Sequence, residues 1–192
     1  IHSPKNKSKS DINLIEKKKI KENKISLIFS TIKNLRKNAK ACVSVLVAVL
    51  GRHHILLAGE PGIGKSHTIK KMIHFLDEPT LEEKIGIKMI YAGKNEPTGR
   101  PFRFPHHSSS AAALIGGQSL KPGEVTLAHK GILFLDELPE FSRQTLEALR
   151  EPMDSRRVEL SKAMGSVSYP ADFLLCATTN PCPCGYFLSF TK

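Results

Sequence analysis

Apolar residues recur along this chain in two periods, and the switches between them mark out its elements. In ISLIFSTIKNLRK, Ile25, Ile28, Phe29, Ile32 and Leu35 fall at helical spacing, as on an amphipathic helix. The next stretch, ACVSVLVAVL from Ala41 to Leu50, instead alternates its valines at the period of a strand and is a poorer helix former. HHILLAGEPGIGKSHTIKKMIHFL then runs from a short apolar segment through a Gly-rich turn to Ile69, Met72, Ile73 and Leu76 at i, i+3, i+4, i+7 spacing. That order predicts strand, loop, amphipathic helix. IGIKMIYAG fits either a strand or a helix.

Two further apolar runs, in GILFLDELPEF and FLLCATTN, are short, continuous and end in polar residues. They read as buried parallel strands. Between them SRQTLEALREPMD predicts a helix with Leu146, Leu149 and Met153 on one face and Ser142 as its cap. RRVELSKAMGSVSYP predicts a hairpin, VEL against VSY, turning near Lys162 to Gly165. Strands alternating with helices imply an α/β domain around a parallel sheet.

Charge divides the chain more sharply than hydropathy does. The total is +11, but residues 1 to 40 hold twelve Lys/Arg against Asp11, Glu16 and Glu22. Residues 41 to 192 carry 17 basic and 15 acidic side chains and are nearly neutral. The leader, residues 1–39, is too polar and too like-charged to offset its ordering entropy and is expected to be mostly disordered. It reads either as a solvated tail or, at its amphipathic end, as a helix docked on the core or a nucleic-acid or membrane-surface arm. No apolar segment with a small-residue cleavage site precedes the core, and ACVSVLVAVL is about half a membrane span. A cytoplasmic protein is expected. Cys42, Cys176, Cys182 and Cys184 do not suggest a disulfide scaffold, and two thiolates in PCPCG fall short of the four ligands of a structural zinc, so no zinc is expected.

The chemistry is carried by three strand ends. GEPGIGKS satisfies G-x-x-x-x-G-K-[ST] through Gly59, Gly64, Lys65 and Ser66, between a strand and a helix as a phosphate loop requires. Glycines let backbone N–H groups turn around phosphate oxygens, and the helix N-terminus adds a positive dipole end. The candidate nucleotide-binding set is Gly59, Glu60, Pro61, Gly62, Ile63, Gly64, Lys65, Ser66 and His67, with Lys65 on the β- and γ-phosphates. Asp136 and Glu137 follow LFL directly, at the strand end where ligands collect in open α/β sheets. Asp136 with Ser66 is the candidate Mg²⁺ pair, and Glu137 the residue that activates the attacking water. Asn180, after LLCATT, can hold that water or a phosphate oxygen with its amide, or merely cap its strand.

These segments, with RPFRFPHHSSSAAALIGG, PGEVTLAHKGILFLDELPEF, LEALREPMD and YPADFLLCATTNPCPCG, resemble the AAA+ core of the magnesium-chelatase-like ATPases of the ComM/YifB type over residues 40 to 187. The resemblance implies a P-loop three-layer sandwich and assigns Gly59–Ser66 to Walker A, Asp136 and Glu137 to Walker B, and Asn180 to sensor 1. It also implies ATP and Mg²⁺ as ligands, hexameric rings, and ATP-driven DNA branch migration in recombination and natural transformation. A helix near residue 43, despite the alternating valines, rests on it too. Gly116, Gly117 and Gly123 are then expected in a pore-facing loop.

Arg100, Arg103, His106 and His107 either contact a phosphate backbone or neighbour or order that insert; Arg156, Arg157 and Lys162 are DNA-contact candidates on the hairpin. Neither histidine pair, His53/His54 nor His106/His107, has metal spacing, since neighbours on a strand face opposite ways. Twelve residues follow Asn180, so an arginine finger, a helical lid and a fifth sheet strand are expected to be missing, leaving hydrolysis open. A non-hydrolysing nucleotide-binding remnant of a split or decayed gene, and a magnesium chelatase ATPase subunit, are the alternatives.

Overall fold

A computed structural model describes residues 39–92, 95–117, 120–162 and 165–181, without the side chains of residues 39–42 and 162. The chain divides into two compact units, residues 1–43 and 44–192, and the fold below is that of the second. The predicted amphipathic segment at residues 25–35, the leader and the PCPCG cysteines lie outside the described residues.

Helix α1, Ala39–Leu50, holds the valine-rich stretch, with Val45, Ala48 and Val49 buried at i, i+3 and i+4. That spacing places three small apolar side chains on one helical face, and their burial outweighs the modest propensity penalty of valine. Strand β1, Ile55–Ala58, leads through the glycine-rich loop into α2, Lys65–Met72, which tightens into a 3₁₀ turn over Ile73–Phe75. Residues 85–91 of IGIKMIYAG are helical, the end of α3, Leu81–Tyr91. Thr80 decides it: its hydroxyl accepts the Glu83 N–H at 3.2 Å while the Glu83 carboxylate accepts the Thr80 N–H at 3.0 Å.

Strand β2 is Phe102–Arg103, followed by short helices α4, Ala111–Ile115, and α5, Glu124–Leu127. Strand β3, Ile132–Leu135, is wholly buried. SRQTLEALREPMD forms two helices rather than the single one predicted: α6, Arg143–Ala148, capped by Ser142, and α7, Arg150–Ser155. Pro152 is the cause, because it has no N–H to donate to the Ala148 carbonyl. The predicted hairpin forms as antiparallel β4, Arg157–Lys162, and β5, Gly165–Pro170. Strand β6, Leu174–Thr179, completes a four-stranded, all-parallel sheet in the order β1-β6-β3-β2.

The sheet is covered on both faces, which gives the layered α/β arrangement. Leu133 and Leu135 point to a core shared with Leu114, Val125, Leu149, Val158 and Leu160 from α4, α5, the loop after α6 and the hairpin. Phe134 points the other way, as strand alternation requires, and stacks on Phe104 at 4.8 Å. Lys70 of α2 in turn lies 4.8 Å from the Phe104 ring. Fully burying Phe134 is worth about 1.5–3 kcal/mol. Parallel strands put their carboxyl ends on one edge, and the register pairs Ala58 with Thr179 and Leu135 with Ala177. Strand β6 therefore lies between the glycine-rich loop and Asp136, and the three polar strand ends meet.

Candidate functional site

The loop after β1 is shaped by two glycines. A Cβ on Gly59 would lie 2.5 Å from Ile63 Cδ1, so any larger residue there would make the Ile63 side chain turn away. Gly64, at φ +90°, takes a left-handed conformation that starts α2. The turn returns Lys65 towards its own loop: Nζ donates to the carbonyls of Gly59 at 2.6 Å and Glu60 at 2.8 Å. It also donates to Asn180 Oδ1 at 3.0 Å, 115 residues away in sequence. All three acceptors are neutral, so within this set no carboxylate balances the ammonium charge.

Asp136 receives the Ser66 hydroxyl on Oδ1 at 2.8 Å, which ties the third strand end to the start of α2. The same oxygen accepts a short hydrogen bond from Thr178 Oγ1. Thr178 Oγ1 also accepts the Glu137 N–H at 3.0 Å. Thr178 is 1% exposed, and one hydroxyl thus fixes both acidic residues. Glu137 has φ 54° and ψ 55°, a left-handed conformation that is uncommon outside glycine and asparagine. The signal for Thr178 was present in FLLCATTN as a polar residue in an apolar run, but the register that sets it beside Asp136 was not legible.

Pro61, Gly62, Gly64, Lys65, Ser66, His67, Asp136, Glu137, Thr178 and Asn180 line one cavity of about 250 Å³. Of the expected nucleotide-binding set, Gly59 and Glu60 take part through their carbonyls on Lys65, and Ile63 packs on Gly59. Hydroxyl and carboxylate oxygens on Ser66 and Asp136 are the hard donors Mg²⁺ prefers. Loop N–H groups, the start of a helix and an ammonium balanced by no carboxylate fit a polyphosphate.

The basic candidates separate. The Arg100 side chain is only 8% exposed and donates to Glu83 at 2.8 Å, to the Lys130 carbonyl at 2.7 Å and to the Asp77 carbonyl at 2.5 Å. Burial raises the Glu83 pKa, but the hydrogen bond from Arg100 and the Thr80 N–H outweigh it and hold the carboxyl below its usual value. Arg103 forks onto Glu124 at 2.6 and 2.7 Å, and that bond raises its pKa further. Of the two readings open for these arginines, the geometry is that of ordering the segment between α3 and β3. Arg156 and Arg157 are exposed, Arg157 with one hydrogen bond to Ser168 at 3.2 Å. Lys162 ends β4, and its side chain lies outside the description.

Neither histidine pair lies on a strand. His106 and His107 lie in a turn closed by Ser109 N–H onto the His106 carbonyl, with ring centroids 4.1 Å apart. His53 and His54 precede β1, and His54 Nδ1 accepts the Leu175 N–H at 2.9 Å. Cys176 is buried in β6, which pushes its thiol up to about 12. The Gly116 to Gly123 loop is closed at its base by a bridge between Gly116 and Pro122. No helix among the described residues is long and apolar enough to cross a membrane.

Comparison with known proteins bears on the family. The family model described as magnesium chelatase, subunit ChlI, matches residues 31–192. YifB of Salmonella typhimurium is 44% identical over 148 residues, 73% of this chain and 29% of the relative. Competence protein ComM of Haemophilus influenzae is 42% identical over 151 residues, 75% of this chain and 30% of the relative. DNA helicase MCM8 of Rattus norvegicus is 26% identical over 135 residues, 70% of this chain and 15% of the relative. The chain thus spans less than a third of the length of these relatives.

Proposed function

The chain belongs to the magnesium chelatase, subunit ChlI, family, and from that membership and the site's geometry we propose that it binds ATP with Mg²⁺ and splits the γ-phosphate. The convergence of Lys65, Ser66, Asp136, Glu137, Thr178 and Asn180 through four hydrogen bonds across three strand ends carries the proposal. Lys65 exchanges its neutral acceptors for phosphate oxygens, a gain because an ammonium interacts more strongly with an anion than with carbonyls. Ser66 and Asp136 would hold Mg²⁺, which would supply charge neutralisation on the phosphates.

Glu137, next along the chain, takes the proton of the attacking water, and its backbone is clamped by Thr178 so that its carboxylate stays on the cavity wall. Asn180, on the far side of Lys65, supplies an amide that orients water or the γ-phosphate. Phosphate release by the full chain is the test. Glu137→Gln is expected to abolish turnover while nucleotide still binds; turnover undiminished in that variant would remove Glu137 from the mechanism.

We further propose that the ATP cycle acts on DNA, which the resemblance to the ComM/YifB type implies and with which the name of one relative, DNA helicase MCM8, accords. Arg157, exposed at the base of the hairpin, is the described residue best placed to meet a phosphate backbone. DNA stimulation of turnover that Arg157→Ala weakens supports the reading; turnover indifferent to DNA contradicts it.

A further inference from the structure

A second cavity, about 430 Å³, opens at the opposite edge of the sheet, where β1, β3 and β6 begin. It is separated from the nucleotide site by the length of the strands, about 13–20 Å. Arg52, Lys130 and Arg156 line it, with Asp172 as the only carboxylate among the lining residues. Lys130 Nζ is paired with Asp172 at 2.5 Å. Arg52 has Glu83 at 3.8 Å, too far for a direct hydrogen bond, and the Arg156 guanidinium makes no hydrogen bond or ion pair among the described residues, although both charges act on Asp172. Two guanidiniums thus converge on one cavity with donors to spare.

The backbone at these three cations is unusual in the same way. Arg52, Lys130 and Arg156 have φ of 53°, 59° and 57°, three of the seven non-glycine residues in the left-handed region among the described residues. Each follows a helix end, α1, α5 and α7 respectively, where a left-handed residue is ordinary but is commonly glycine or asparagine. The turn geometry alone therefore does not select arginine or lysine, least of all three times around one cavity.

The rest of the lining completes a site rather than a charge patch. A Cβ on Gly51 would meet the His53 ring at 2.6 Å, so the wall is closely fitted there. His54 Nδ1 is occupied by the Leu175 N–H, which leaves Nε2–H as a donor in the neutral ring. Burial, then the Arg156 charge, lowers the His54 pKa, which favours the neutral ring. Phe173, with its ring centroid 6.3 Å from that of His54, adds apolar surface. The volume falls in the range of small-molecule sites, about 300–1,000 Å³.

We propose that this cavity binds a small phosphate-bearing anion, its phosphate held by Arg52 and Arg156 and its organic part against Phe173. Guanidinium pairs recognise phosphate through paired N–H groups, and the fixed left-handed backbone sets where they point. The site is independent of the nucleotide cavity and does not rest on hydrolysis.

The test is calorimetric titration of the full chain carrying Lys65→Ala, to silence the phosphate loop, with adenosine monophosphate, inorganic pyrophosphate and a ten-nucleotide thymidylate. Saturable binding of a small phosphate is expected, weakened at least tenfold by Arg156→Asn, which keeps a residue tolerant of the left-handed turn. Arg143→Ala, at an exposed cation outside both cavities, should leave it unchanged. No saturable binding of either small phosphate overturns the proposal, as does equal affinity in Arg156→Asn. Binding of the oligonucleotide alone, lost in Arg156→Asn, overturns it in favour of a nucleic-acid contact.

Discussion

Replacing Thr178 by valine removes one hydroxyl from a fully buried position while conserving shape, so the loss isolates polar contacts from packing. The hydroxyl donates to Asp136 Oδ1 and accepts from Glu137 N–H. A hydrogen bond to a charged group contributes about 1.5–3 kcal/mol, and an N–H left without an acceptor costs up to about 1–3 kcal/mol, the lower end applying here because Glu137 is exposed. Both effects come from one atom and share relaxation, so about 3 kcal/mol is expected rather than their sum. A domain with a stability of about 5–15 kcal/mol survives that loss. Equilibrium urea unfolding of the wild type, Thr178→Val and Thr178→Ser measures it. Serine retains the hydroxyl and gives up one methyl, for about 0.8–1.2 kcal/mol. MgATP affinity should follow the same order, weakened in valine and nearly restored in serine. A valine variant within about 0.5 kcal/mol of wild type, a difference typical of inconsequential surface changes, would refute the clamp.

Gly64→Ala should cost about 1 kcal/mol, a drop of roughly 2–4 °C in Tm, because φ +90° is strained for alanine although nothing lies within 4 Å of the added carbon; an unchanged Tm would show that the turn is not strained. Stability should fall on acidification: His129 is held down to about 4, first by burial and then by the Lys130 charge, against about 6.5 unfolded. The folded state therefore binds fewer protons between these values, so a contribution of about 2 kcal/mol is present above pH 6.5 and lost as pH falls towards 4. His129→Gln should flatten that slope in urea titrations, and an unaltered slope would assign it elsewhere. Arg103→Ala breaks the fork onto Glu124 and should cost about 1–3 kcal/mol of stability with MgATP affinity unchanged; a large loss of affinity would instead tie Arg103 to the nucleotide site.

The strands, the glycine-rich turn and the three polar strand ends were legible because each is a local pattern: a short apolar run, a turn demanding glycine, a carboxylate or amide directly after. The membership of Asn180 in the site was legible for the same reason, once Lys65 and Asp136 were recognised. The valine alternation of α1 mimics a strand because only one side of the pattern is buried. The break at Leu149 follows from Pro152, a local signal that the apolar spacing of Leu146, Leu149 and Met153 masked. What could not be read was long-range. The pairing of Arg100 with Glu83 and of Arg103 with Glu124, the clamp at Thr178 and the meeting of Arg52, Lys130 and Arg156 depend on strand order and register, which no stretch of sequence carries.

Lys65, Ser66, Asp136 and Asn180 are proposed to form a single site for ATP and Mg²⁺. Thermal and urea unfolding of the full chain with and without MgATP tests it most directly. At a free ligand concentration about 100 times Kd the native protein should gain about 2.7 kcal/mol. That gain should vanish in Lys65→Ala and shrink in Asp136→Asn. Unfolding that is indifferent to MgATP in the native chain, or stabilised equally in Lys65→Ala, would contradict it.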